Sequence, residues 1–149
     1  MKTKLAAVMA AAALAGCGGG DEGSNQALSY SAYGEEASQV CEDLETKTDP
    51  VGSTLTGKAA EDAETLSELA PLVEGSVDDF EALDPPAELE ATHEQYLGLL
   101  TQFRDGFADA QEAAEAGDTA EYQRVLEDIN ALGDEAKATG SRLGAEGCT

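Results

Sequence analysis

Apolar residues along this chain recur at alternating steps of three and four, the spacing that places them on one face of an α-helix. The richest stripe runs Leu89, His93, Tyr96, Leu100, Phe103, Phe107, Ala110 and Ala114, with a histidine standing at an apolar position. A second runs Tyr122, Val125, Ile129, Leu132, Ala136, Thr139 and Leu143, and a third Ala59, Ala63, Leu66, Ala70, Val73, Val77 and Phe80. A shorter set, Ala37, Val40, Cys41 and Leu44, predicts a short helix from about Gly34 to Thr46. No segment alternates apolar and polar residues as a half-buried strand would.

The breaks between these stripes carry their own signals. Asp49, Pro50 and Gly52 predict a turn over Lys47 to Ser53, with Pro fixing one dihedral and Gly relaxing another. Pro71 lies inside the Ala59 to Phe80 stripe, but the stripe keeps its phase, so one kinked helix is expected rather than two. Asp84 is placed to cap the next helix, with Pro85 and Pro86 in its first turn. Gly117 ends that helix, and Asp118 followed by Glu121 is a capping-box pattern for the last one, which Gly144 closes. The resulting fold class is all-α. Three long helices and one short N-terminal helix joined by short links should form an up-and-down antiparallel bundle with the first and fourth helices adjacent.

Ahead of the first stripe the pattern changes. Lys2 and Lys4 precede an apolar, Ala-rich run from Leu5 to Ala15, which reads as an export signal and not as part of a folded domain. It ends in Leu14, Ala15, Gly16, Cys17, which resembles the lipobox of bacterial lipoprotein signals. That resemblance implies a diacylglyceryl thioether on Cys17, cleavage after Gly16, and a mature chain held at the extracytoplasmic face of the cell membrane. Residues 1–16 are then signal peptide, 17–33 the lipidated cysteine and a flexible Gly, Ser, Asn and Gln-containing tether, and 34–149 the bundle domain. No apolar run beyond Ala15 approaches the ~20 residues needed to span a bilayer, so the lipid is the expected attachment. Two acyl chains suffice for stable anchoring.

Lipidation of Cys17 would leave Cys41 and Cys148 as the remaining cysteines. In an oxidising compartment these two are expected to form a disulfide that closes nearly the whole domain into one loop. By the chain-entropy argument such a loop is worth about 4 to 5 kcal/mol. A redox or metal-binding pair would call for Cys-x-x-Cys spacing, which is lacking. The mature chain also resembles small secreted lipoproteins of high-GC Gram-positive bacteria. The resembling residues are Leu83, Asp84, Pro85 and Pro86 before a helix with His93 and Tyr96, and the ending Leu143, Gly144, Ala145, Glu146, Gly147, Cys148. This resemblance implies a helical domain with a terminal cysteine bond and brings no activity, substrate or catalytic residue.

Charge and chemistry narrow the function. The chain has 149 residues and a formal net charge of -23, which opposes nucleic acid and anionic headgroups and leaves a basic protein or a cation as a partner. It has no Trp, so a large aromatic sugar or cofactor pocket is not expected, and no cofactor is assigned. His93, the single histidine, could with Tyr96 and Phe103 line a small-ligand site between helices; as an ordinary helix-face residue it would instead be packed and hydrogen-bonded. Glu90 and His93 form one Glu-x-x-His step, where a di-iron bundle repeats it, so no resident metal is expected. Any metal bound there would be Zn or Cu held by His93 and carboxylates. No Ser sits in a Gly-x-Ser-x-Gly setting, one His would have to serve any triad, and the many carboxylate pairs read as solvated surface. EF-hand, Walker and dinucleotide motifs are absent. The expectation is a non-enzymatic, lipid-anchored interaction module of the cell envelope; the alternative is a lipoprotein that binds a small ligand or metal cation near His93.

Overall fold

The computed structural model describes residues 28–149. The lipobox, Cys17 and the tether up to residue 27 lie outside the described residues. Within them the chain is all-helical: α1 spans Tyr30–Gly52, α2 Ala59–Glu81, α3 Glu90–Ala116 and α4 Thr119–Leu143, followed by a short 3-10 turn, η1, at Glu146–Cys148. No strand occurs among the described residues. Each helix packs on the next, and α1 meets the end of the chain mainly through η1, touching α4 itself only slightly. These packing pairs are consistent with a bundle.

The helices have 23, 23, 27 and 25 residues, so the short N-terminal helix expected from Gly34 to Thr46 is corrected at both ends. At its start the Ser29 hydroxyl accepts a hydrogen bond from Ala32 N at 3.2 Å, and the helix is already under way where a tether was expected. Tyr33, read as tether, is completely buried. At its far end α1 runs through the expected Lys47 to Ser53 turn. Pro50 lacks only the N–H that Thr46 O would have received, which costs little in the final turn of a helix that is about to stop. The turn is displaced to Ser53–Lys58.

α2 stays one helix through Pro71. Pro71 is exposed, so the Ser67 carbonyl it leaves unpaired, one turn back on the same side, is open to water. The buried seam of α2 is Ala59, Asp62, Leu66, Leu69, Val73, Ser76 and Phe80. It keeps the expected phase but rolls toward Asp62, Leu69 and Ser76, leaving Ala63, Ala70 and Val77 half-buried. Asp84, Pro85 and Pro86 do not open α3: the helix starts at Glu90 behind a turn closed by Leu89 N donating to Pro86 O at 2.8 Å. The Gly117 and Asp118 junction is as expected. Gly117 adopts φ 70°, which a residue without Cβ tolerates, and Asp118 Oδ1 accepts from Glu121 N at 3.0 Å. Only half of the capping box forms, because the Glu121 side chain turns to Arg124.

Two apolar clusters fill the interior. One gathers Tyr33, Ala37, Phe80, Tyr96, Leu99, Leu100, Leu143 and the two cysteines. The other is built from Ala59, Leu66, Leu69, Ala110, Ala113, Tyr122, Val125 and Ile129. Phe103, half-buried on α3, packs against both.

Candidate functional site

The strongest chemical signal in the sequence, His93, lies on the buried seam of the first turn of α3 and is 6 % exposed. Its Nδ1 is 2.8 Å from the Tyr33 hydroxyl of α1, which donates the bond when the ring carries its own proton on Nε2. One ring face is covered by Phe80 of α2, stacked with centroids 5.6 Å apart, and the Tyr33 ring meets the imidazole edge-on at 5.9 Å. Three helices therefore converge on this side chain. Burial lowers the His93 pKa, with Glu94 opposing weakly, so the neutral ring is favoured. Burial likewise raises that of Tyr33, with Tyr96 adding to it.

Tyr96, one turn further along α3, lies against Phe80 with centroids 4.7 Å apart. Its hydroxyl is 3.2 Å from Cys41 Sγ, and its pKa is pushed up to about 12 by burial. Cys41 is joined to Cys148 with Cα atoms 5.1 Å apart, and both are buried. The disulfide sulfur has no proton, so Tyr96 is the donor. Phe103, grouped with His93 and Tyr96 as a possible ligand wall, stands ten residues from His93, roughly 15 Å along the helix, beside Phe107. His93 and Tyr96 are thus brought together with Tyr33, Phe80 and the disulfide, whereas Phe103, though it packs on the same cluster, stands further along α3 from the imidazole. The space beside the imidazole is occupied by aromatic side chains. Glu90, its partner in the Glu-x-x-His step, is exposed.

A second polar centre, which sequence reasoning missed, lies in the other cluster. Asp62 is completely buried in the first turn of α2. Its Oδ1 accepts from Thr56 N at 2.8 Å and from the Thr56 hydroxyl at 2.9 Å. Its Oδ2 accepts from Gly57 N at 2.8 Å, Lys58 N at 3.1 Å and the Tyr122 hydroxyl of α4 at 2.6 Å. Desolvation pushes the carboxyl pKa up, but the bonds from Tyr122, Thr56 and Gly57 outweigh it and the pKa is lowered. The carboxylate keeps its charge because donors replace its lost water. Gln123 Nε2 also donates to Gly57 O at 2.7 Å, so α4 holds the α1–α2 loop from two sides. The signal that could have found Asp62 is its register: it follows Ala59 by three and precedes Leu66 by four, on the buried seam.

Among the described residues no three His, Cys, Asp or Glu side chains come together as a metal site. No helix among them is long and apolar enough to cross a membrane. Comparison with known protein families found no match, and none was found among curated proteins or solved structures.

Proposed function

We propose that this chain is a lipid-anchored extracytoplasmic domain that acts by protein interaction in the cell envelope and not by catalysis. The observation that carries the reading is the Cys41–Cys148 disulfide. Disulfides persist in oxidising compartments, which supports export. Of the chain's three cysteines, those two are consumed by each other, which leaves the lipobox residue Cys17 for the diacylglyceryl group. The up-and-down antiparallel course suits such a module and is supported by which ends meet. The end of α2, at Phe80, lies on the start of α3, at His93, and the start of α3, at Gln95, meets the end of α4, at Arg142. The rival reading, a small ligand or cation beside His93, draws less support, because Phe80 and Tyr33 already fill the room next to the ring.

The test is mass spectrometry of the mature N-terminal peptide from the full chain made in a secreting bacterial host, coupled to proximity labelling from the same chain. A peptide that begins at Cys17 and carries a diacylglyceryl mass, with protein neighbours labelled above a control sharing only the anchor, is the expected result. An unmodified Cys17 overturns the anchoring, and labelling no stronger than the control overturns the interaction role.

A further inference from the structure

At the end of the bundle where the chain enters at Leu28, a groove of about 730 Å³ runs between the first half of α1 and the segment that follows α4. Its floor is backbone. A Cβ on Gly34 would lie 2.7 Å from Gly144 O, and one on Gly147 would lie 2.5 Å from Ser38 O, so neither position accepts a side chain unless the two segments part. Tyr30 lies on one rim, 48 % exposed, the large apolar side chain most open to solvent among the described residues. It rests on Gly144, where a Cβ would come within 2.9 Å of its ring. Its hydroxyl donates a long bond of 3.5 Å to Arg142 O. The walls carry Glu35, Gln39 and Glu42 from α1 and Glu146 from η1, and no basic side chain lines the groove.

The carboxylates are spaced and not convergent. No three of them come together as a metal site among the described residues, so a single cation has no cage here. Glu35 and Glu42 are seven residues apart on one side of α1, about 10.5 Å along the helix axis. Residues three apart in a polyproline-II chain, which completes one turn every three residues, project to the same side about 9 Å apart, close to that spacing.

We propose that this groove docks a cationic segment of another envelope protein in the polyproline-II conformation, with two Lys or Arg side chains three residues apart seated at Glu35 and Glu42 and one of their stems lying against the ring of Tyr30. The charge of -23 favours such a partner at a distance, and the groove gives it a place and a register. An exposed tyrosine face beside carboxylates suits the flat guanidinium of Arg or the ammonium of Lys. The inference deepens the interaction reading by naming the chemistry of the partner, and it rests on that reading for the partner's location.

The test uses the full mature chain in zwitterionic detergent micelles, titrated with a ten-residue peptide bearing Arg-Gly-Gly-Arg and, separately, with its Glu-Gly-Gly-Glu counterpart. Saturable binding of the first alone is expected, and it should weaken when salt is raised from roughly 0.05 M to 0.5 M. The pair Glu35→Gln and Glu42→Gln should weaken it about fivefold, and Tyr30→Ala about threefold. Glu112→Gln with Glu127→Gln, which removes the same charge from exposed positions elsewhere on α3 and α4, should leave it unchanged. Binding that falls equally with this control pair would mean diffuse attraction and overturn the groove. So would the absence of saturation, binding of the acidic peptide, or indifference to both groove variants. Because the titration uses purified protein, a chain that fails it and still labels neighbours on cells loses the groove alone. A chain that passes it and labels none loses the interaction role alone.

Discussion

The two ends of the bundle handle the same problem, a buried titratable side chain bonded to a buried tyrosine hydroxyl, in opposite ways. At Asp62 the group stays charged, because backbone N–H groups of Thr56, Gly57 and Lys58 and the hydroxyls of Thr56 and Tyr122 all point at it. At His93 a single hydrogen-bond partner, Tyr33, and a stack of aromatic rings favour the uncharged form. The polar network at Asp62 fixes a loop and a helix start. The His93 end relies on packing and on the covalent link through Cys41 and Cys148. Burial alone therefore does not set a charge state; the number of donors the backbone can bring does.

The largest effect should come from cutting the covalent link. The disulfide joins residues 107 apart in sequence, and Cys41→Ser with Cys148→Ser should cost about 4 kcal/mol in urea denaturation, with the loss falling on the His93 end. Hydrogen exchange resolves this: early opening of α1 and η1 with α2 still protected supports the contrast, and uniform opening breaks it.

Next comes Asp62→Ala, which strands the buried Tyr122 hydroxyl and unpairs the part-buried donors of Thr56, Gly57 and Lys58, and should cost about 3 kcal/mol. A loss under about 1 kcal/mol in the same assay would mean that water enters and the network is not needed. Tyr122→Phe removes one donor of the set and should cost about 1 to 2 kcal/mol. Tyr33→Phe, which strands only an imidazole nitrogen near the end of the bundle, should cost about 1 kcal/mol. If the second exceeds the first, the ranking of the two ends is wrong.

The smallest effects sharpen the comparison through pH. Both pKa values are lowered on folding, so in both cases the unfolded chain takes up the proton first and stability falls with acid. The windows differ. The His93 contribution is complete above the ordinary histidine value of 6.5 and is lost as pH falls from there through the folded value. The Asp62 contribution is complete above 3.8 and is lost only as pH falls from there through its own folded value. His93→Gln should flatten the upper window and leave the lower one; a wild-type minus variant difference that does not change between about pH 7 and 5 would refute the assignment.

Much of this architecture was legible. The stripes of α3 and α4 lie where the apolar spacing puts them, and Gly117 and Asp118 mark their junction because a left-handed backbone and an N-cap leave local residue signatures. The length of α1 was not legible, since Tyr33 and Pro50 carry local signals of tether and turn that tertiary packing overrides. In α2 the buried positions Asp62 and Ser76 are polar, so an apolar count passes over them and shifts the seam to Ala63 and Val77. The partners of Asp62 are loop amides and a tyrosine on another helix, which no local pattern announces. His93 could be singled out by its place in the stripe, but what fills the space beside it, Tyr33 from α1 and Phe80 from α2, is decided by the assembled bundle.

The disulfide also changes what a protease can do. Because Cys41 lies in α1 and Cys148 lies after α4, the links between the four helices all fall inside one covalent ring. A single cut at Ser53–Lys58, at the Asp84 to Pro86 turn or at Gly117 opens that ring without freeing a fragment. If the chain is anchored at Cys17 as proposed, a nicked domain stays attached: only a cut before Cys41 releases it whole, while two cuts within the ring, or one cut with reduction of the bond, release a part.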